Sequence, residues 1–296
     1  MSKFIVKIII FSFVIVILLF VPLLCMRYYT SSIKIILPTE KNILIVGNSH
    51  SECAINDLIF MRSINFSQSG RSIPFSYSVM KRILKDNNHI DTVLLSVSSS
   101  TFSRYANNYD FKNERKFRSV LSKVVFFADT PELISLSNFK GFYEGLFIDP
   151  FKLNALPHLS EILKGSYGFY LGEFLHLERN KLDEDLKYNR WPEVVDIDTT
   201  LIEYKYLIKF KEFTDENKIT LILINTPKYQ VEKTHDMPKF EELREKYLSD
   251  FNYVDFSNFR LPDYCYGDVT HLNFKGAEIF SRYLEENGLK YNGNNN

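Results

Sequence analysis

From residue 42 onward the chain carries five short apolar runs: Asn42–Val46, Ser63–Phe66, Thr92–Val97, Thr220–Asn225 and Tyr253–Phe256. The first, NILIV, is continuous rather than alternating, as a strand buried on both faces of a parallel sheet requires. Helical spacing lies between the runs. It begins at Ser51 with Ile55, Leu58 and Ile59 on one face, and returns over Pro74–Lys85, Thr200–Asn217 and Lys239–Leu248. A last amphipathic helix over Asn273–Asn287 turns Ala277, Phe280 and Leu284 inward. Strand, turn and helix in this order predict a doubly wound α/β domain over residues 42–287.

Residues 103–195 interrupt the alternation. They mix aromatics, charges and scattered prolines, and Ser160–Leu163 and Phe169–Leu182 read as helical. A structureless loop of that length is improbable in a compact domain, so the segment is expected to be a helical insertion. Residues 288–296 end in GNNN and are expected to form a disordered tail.

The N-terminus constrains location. Ile8–Met26 runs for nineteen residues without a charge. As a helix it would reach roughly 28 Å, close to the hydrocarbon thickness of a bilayer. Lys3 and Lys7 precede it; Arg27 and Lys34 follow. No A-x-A pattern closes the run, and bulky Leu24 precedes Cys25, so an uncleaved signal anchor is expected over residues 1–26. The N-terminus would then be cytoplasmic and the main domain extracytoplasmic. Residues 27–41, with Pro38 and polar neighbours, read as a stalk.

Lys and Arg total 36, as do Asp and Glu. That balance gives no electrostatic basis for binding nucleic acid. Neither H-x-x-x-H nor C-x-x-C occurs, and no phosphate-binding glycine loop is found, so no metal or cofactor is expected.

Ligands of doubly wound sheets bind at the carboxyl ends of the strands. After the first run come Gly47-Asn48-Ser49-His50-Ser51-Glu52. Gly47 permits a tight exit from the strand, and Ser49 falls where a helix begins. A hydroxyl there can attack a carbonyl, with its own N–H holding the oxyanion. Alone, the motif reads as ordinary helix capping. Near the other end stand Asp268-Val269-Thr270-His271-Leu272-Asn273. A carboxylate three residues before a histidine can fix its tautomer and leave Nε2 free to take a serine proton. His50 and Ser51 are rival candidates, but a side chain adjacent to the nucleophile at a helix start is expected to point elsewhere.

G-x-S after the first strand and D-x-x-H-x-N before the last helix together resemble the first and last blocks of the SGNH (GDSL-like) hydrolase superfamily. The similarity is nearest to membrane-tethered members associated with bacterial envelope polysaccharides. It covers roughly residues 42–102 and 219–287. The resemblance implies a flavodoxin-like α/β/α sandwich, Ser49 as nucleophile, and Asp268 and His271 as its partners. It also implies oxyanion donors at Ser49 and Gly70. Two departures stand out. Asn48 occupies the usual Asp position, and Ser96-Val97-Ser98-Ser99-Ser100-Thr101 replaces G-x-N-D. Ser98, Ser99 or Ser100 could supply the missing side-chain donor.

The resemblance thus implies a serine esterase or O-acyltransferase on acylated envelope glycans, a transferase needing a separate multi-span acyl-donor membrane protein. The alternative is a non-catalytic scaffold or glycan-binding module that keeps the fold. Cys53 and Cys265 flank the two motifs; in an oxidising compartment they could form a disulfide, or else lie as buried thiols.

Overall fold

The computed structural model describes residues 2–103, 111–126, 128–149, 171–188, 202–229 and 233–290. Five strands, β1 (Ile43–Val46), β2 (Ser63–Asn65), β3 (Thr92–Ser96), β4 (Thr220–Asn225) and β5 (Asn252–Asp255), form one parallel sheet. Their order is β2-β1-β3-β4-β5. This is the flavodoxin-like order. The expected strands are all present, within a residue or so at each end.

Helices cover both faces, which is why the strands read as continuous apolar runs. The helices α2 (Ser49–Ala54) and α10 (Phe274–Asn287) pack together. Ile43, Ile45, Leu94 and Ile224 share a core on that side with Phe256, Phe280 and Leu284. On the opposite side α3 (Ile73–Leu84) packs against α8 (Ile202–Glu216). Tyr77 there sets its ring edgewise to Tyr206 at 5.7 Å and to Phe210 at 5.3 Å. A further helix, α9 (Lys233–Tyr247), runs between β4 and β5 in the chain.

The chain steps outward from β1 to β2, then returns to β3 on the other side of β1. Between β1 and β3 the strand order therefore reverses, and a crevice opens above their carboxyl ends. Gly47 sits at that point with φ +156°, and a Cβ there would lie 2.6 Å from Ser96 Cβ and 2.8 Å from Ser51 Oγ. The close approach of the two strand ends requires glycine.

The described residues fall into two compact units. One holds the sheet. The other combines α1 (Ser2–Ser32) with α4 (Glu114–Val124), α5 (Thr130–Leu136) and α6 (Phe142–Phe147). Helix α1 is long and apolar enough to cross a membrane by length and composition. Its large apolar side chains, from Phe4 to Val21, are mostly exposed. Residues 27–32 continue α1, which ends before Pro38. Their polar side chains bond within this unit. Arg27 donates to the carbonyls of Val125 at 2.6 Å and Ala128 at 2.7 Å, and Thr30 Oγ1 donates to Phe126 O at 2.7 Å.

Helix was expected over Phe169–Leu182. Residues 171–181 instead form an extended strap, and helix α7 begins only at Leu182 (Leu182–Lys187). The strap's backbone partners lie in the sheet-bearing unit. Glu173 N donates to Ser67 O at 3.1 Å, Leu175 N to Glu52 O at 2.8 Å and Lys181 N to Gly267 O at 2.8 Å. Leu177 O accepts from Phe274 N at 2.9 Å. These bonds satisfy the backbone groups that a helix would have paired internally. The expected helix at Ser160–Leu163, His158 and the end of the tail lie outside the described residues.

Candidate active site

Each end of the site is held by its own local device. Asn48 caps α2, its side chain accepting from His50 N at 3.0 Å, and this places Ser49 on the first turn above β1. At the other end Tyr266 and Leu272 form an antiparallel bridge, and Gly267 N donates to His271 O at 2.9 Å. Residues 267–271 are thereby closed into a tight loop. Asn273 fastens this loop to α10. Its Oδ1 accepts from Lys275 N and Gly276 N, and its Nδ2 donates to Tyr264 O at 2.7 Å.

The two devices bring the predicted trio together. Ser49 Oγ lies 2.8 Å from His271 Nε2. His271 Nδ1 lies 2.9 Å from Asp268 Oδ1 and 3.1 Å from Oδ2. Burial by itself would raise the Asp268 pKa. The hydrogen bond and charge of His271, with bonds from Thr270, override it and hold the carboxyl well below the usual carboxylate range. Asp268 is therefore an acceptor only, so His271 Nδ1 carries the proton and Nε2 presents a lone pair to the Ser49 hydroxyl.

Asp268 is further restrained by neighbours that the sequence did not single out. Its Oδ1 accepts from Thr270 N, Thr270 Oγ1 and His271 N, each at 2.9 Å. Arg179, on the strap, donates to its Oδ2. No spacing rule links residues 179 and 268, and only the strap's path reveals the pair.

His50 was expected to point away, and the structure corrects this. Its ring stacks on that of His271, with centroids 5.1 Å apart and 16° between the planes. Its Nδ1 lies 3.0 Å from Thr270 O. Burial pushes the His50 pKa well down, helped by the nearby charges of Lys228 and His271. Ser51, the other rival, is buried and donates to Ser67 Oγ at 2.7 Å, away from the histidine. Glu52 accepts from Ser69 Oγ; burial raises its pKa and that bond opposes the rise.

Ser49 also borders a cavity of about 290 Å³. Gly70, Ser76, Ser96, Ser100 and Thr101 share its wall. Of the three serines considered as a substitute donor, Ser100 is the one that lines the same cavity as Ser49 and Gly70. Ser98 and Ser99 are not in the wall. Ser98 is buried, its N bonding Thr101 Oγ1 at 3.0 Å and its Oγ bonding Ser100 Oγ at 2.9 Å.

Of the two readings left open for Cys53 and Cys265, a disulfide or buried thiols, the structure holds free thiols, both buried. Cys265 belongs to the apolar core with Phe280, and burial pushes the Cys53 thiol up to about 12. Both serve as small apolar groups. Among the described residues, no cluster of three or more His, Cys, Asp or Glu could hold a metal ion.

A protein-family model of unassigned function matches residues 197–290, the stretch that carries Asp268 and His271. Curated proteins gave no match. Among solved structures, the crystal structure of a Bacteroides fragilis protein provisionally assigned as an acylhydrolase is similar at 9% identity and TM-score 0.34. The match covers 88% of this chain and 92% of that one.

Proposed function

We propose that this chain is a serine-dependent acyl hydrolase or acyltransferase acting on carboxylic esters. The observation that carries the reading is the continuous relay from Ser49 Oγ to His271 Nε2 at 2.8 Å and from His271 Nδ1 to Asp268 at 2.9 Å. In this reading Ser49 Oγ attacks the ester carbonyl carbon and its proton passes to His271 Nε2. The tetrahedral oxyanion is held by the N–H groups of Ser49 and Gly70 and by the Ser100 hydroxyl. Collapse breaks the bond to the leaving alcohol, which takes the proton from Nε2. A water or a sugar hydroxyl then gives its proton to Nε2 and attacks the acyl carbonyl; collapse breaks the acyl–Oγ bond, and Ser49 Oγ takes the proton back from Nε2.

The apolar α1 and the two lysines before the uncharged run support a tethered enzyme with its sheet domain outside the cytoplasm. Esters of envelope glycans are then the substrate class within reach, and a multi-span acyl-donor protein the partner if the acceptor is a sugar. The serine motif is tested by reacting detergent-solubilised protein with a fluorophosphonate probe. Wild type is expected to label at Ser49, and Ser49→Ala to be inert while unfolding at the same temperature. Equal labelling of both proteins, or none of a folded wild type, overturns the reading. Products from an acetylated oligosaccharide, with and without a second glycan, separate hydrolysis from transfer.

A further inference from the structure

His50 has no part in the relay just described, yet it touches it twice. Its ring lies flat against the His271 ring, and its Nδ1 meets Thr270 O at 3.0 Å across 220 residues of chain. A carbonyl oxygen can only accept, so Nδ1 carries the His50 proton. The bond joins the turn that presents Ser49 to the loop that presents His271. Thr270 is itself committed to Asp268 through both its N–H and its hydroxyl. One imidazole therefore reaches every member of the relay: Ser49 as its chain neighbour, His271 by direct stacking, and Asp268 through Thr270.

We infer that His50 is a positioning residue, a clamp that holds the His271 imidazole in line with Ser49 by a hydrogen bond to Thr270 and by covering one face of the ring. The inference rests on the acyl-transfer reading for its kinetic consequence, and on geometry alone for its structural one. Asp268 holds the His271 ring at Nδ1, and the clamp restrains the ring's face as well; at such a site a shift of about 1 Å can cost on the order of 10² in rate. Burial, helped by the charges of Lys228 and His271, holds the His50 pKa well down against the opposing Asp268 carboxylate and Thr270 bond, and the imidazole is neutral. A neutral clamp adds no positive charge next to the imidazolium that forms during attack.

The two contacts can be removed separately. His50→Asn keeps a side-chain N–H able to reach Thr270 O but loses the ring. His50→Phe keeps the stacked ring but loses the donor. His50→Ala loses both. With a 4-nitrophenyl ester and the full detergent-solubilised chain, His50→Ala is expected to lose roughly 10²-fold in kcat, with KM unchanged within about twofold. Asn and Phe should each recover part of that loss. A His50→Ala enzyme with wild-type kcat, or a parallel fall in kcat and rise in KM, overturns the clamp.

A readout independent of turnover is the low-field proton NMR signal of His271 Nδ1–H. It is expected in wild type, broadened or lost in His50→Ala, and restored in part by Asn or Phe. If the protein hydrolyses nothing and fluorophosphonate labels nothing, the acyl-transfer reading fails while this signal still decides the clamp. Its persistence in His50→Ala overturns the clamp even in an active enzyme.

Discussion

Arg179 and Asp268 form an ion pair that joins the extended strap to the loop carrying the candidate histidine, 89 residues further along the chain. The guanidinium takes Oδ2, and Oδ1 is left to Thr270 and His271. The carboxylate is thus held from two directions, and its plane is set before any substrate arrives.

Because Arg179 is nearly half exposed, its ion pair is screened and worth about 0–1 kcal/mol. Arg179→Ala should lower the unfolding temperature only slightly. Its stronger effect should be faster hydrogen exchange at the amides of Glu173, Leu175 and Lys181, which bind the strap to the body. Unchanged exchange at all three would mean that the backbone bonds alone secure the strap.

Asp268→Asn keeps the shape of the side chain but offers His271 Nδ1 a donor as well as an acceptor, which favours the wrong tautomer. If Asp268 orients the histidine, kcat should fall by about 10⁴, with the fold retained. Steady-state ester hydrolysis and circular dichroism check the two halves of the statement. A loss under tenfold would remove Asp268 from the relay.

Glu52 and Asp268 titrate in opposite senses. Burial raises the Glu52 pKa above its unfolded value, so the folded state holds its proton where the unfolded state has released it. Its contribution is complete below the ordinary glutamate range, about pH 4.3, and is lost as pH rises through the folded value. Asp268, depressed in the folded state, contributes above the ordinary aspartate range and loses that contribution as pH falls. Glu52→Gln should therefore gain stability relative to wild type between pH 4 and 7 in urea unfolding. A relative loss over that interval would contradict the raised value.

Gly47→Ala places a methyl 2.6 Å from Ser96 Cβ, where neither strand end can retreat without breaking the β1–β3 pairing. The expected cost is about 1–3 kcal/mol, with a matching fall in denaturation midpoint. Fluorophosphonate labelling should slow as well, because Ser49 follows two residues later. Wild-type stability in this variant would show that the strand ends separate more readily than the structure indicates.

The five strands, the amphipathic α10 and the apolar α1 were all legible in the residues. Each depends on a local pattern: a run of β-branched side chains buried on two faces, a 3.6-residue stripe, or a long charge-free segment. Ser49, Asp268 and His271 could be read as a set only through the resemblance of the two motifs together to the first and last blocks of the SGNH superfamily; each motif alone reads as capping or loop chemistry. The strap over residues 171–181 was not legible, since its backbone bonds are made to Ser67, Glu52, Gly267 and Phe274 rather than within itself.

By itself, then, the sequence determined the elements, their order and the residue types at the carboxyl ends of the strands. Tertiary packing alone decided that His50 turns inward onto His271, that Arg179 reaches Asp268, that Ser100 rather than Ser98 or Ser99 borders the cavity, and that Cys53 and Cys265 are free thiols. The physical reason is range. Periodicity is set by neighbours within a turn or a pleat. Contacts spanning 89, 220 or 222 residues arise only when the whole core has chosen where its loops emerge.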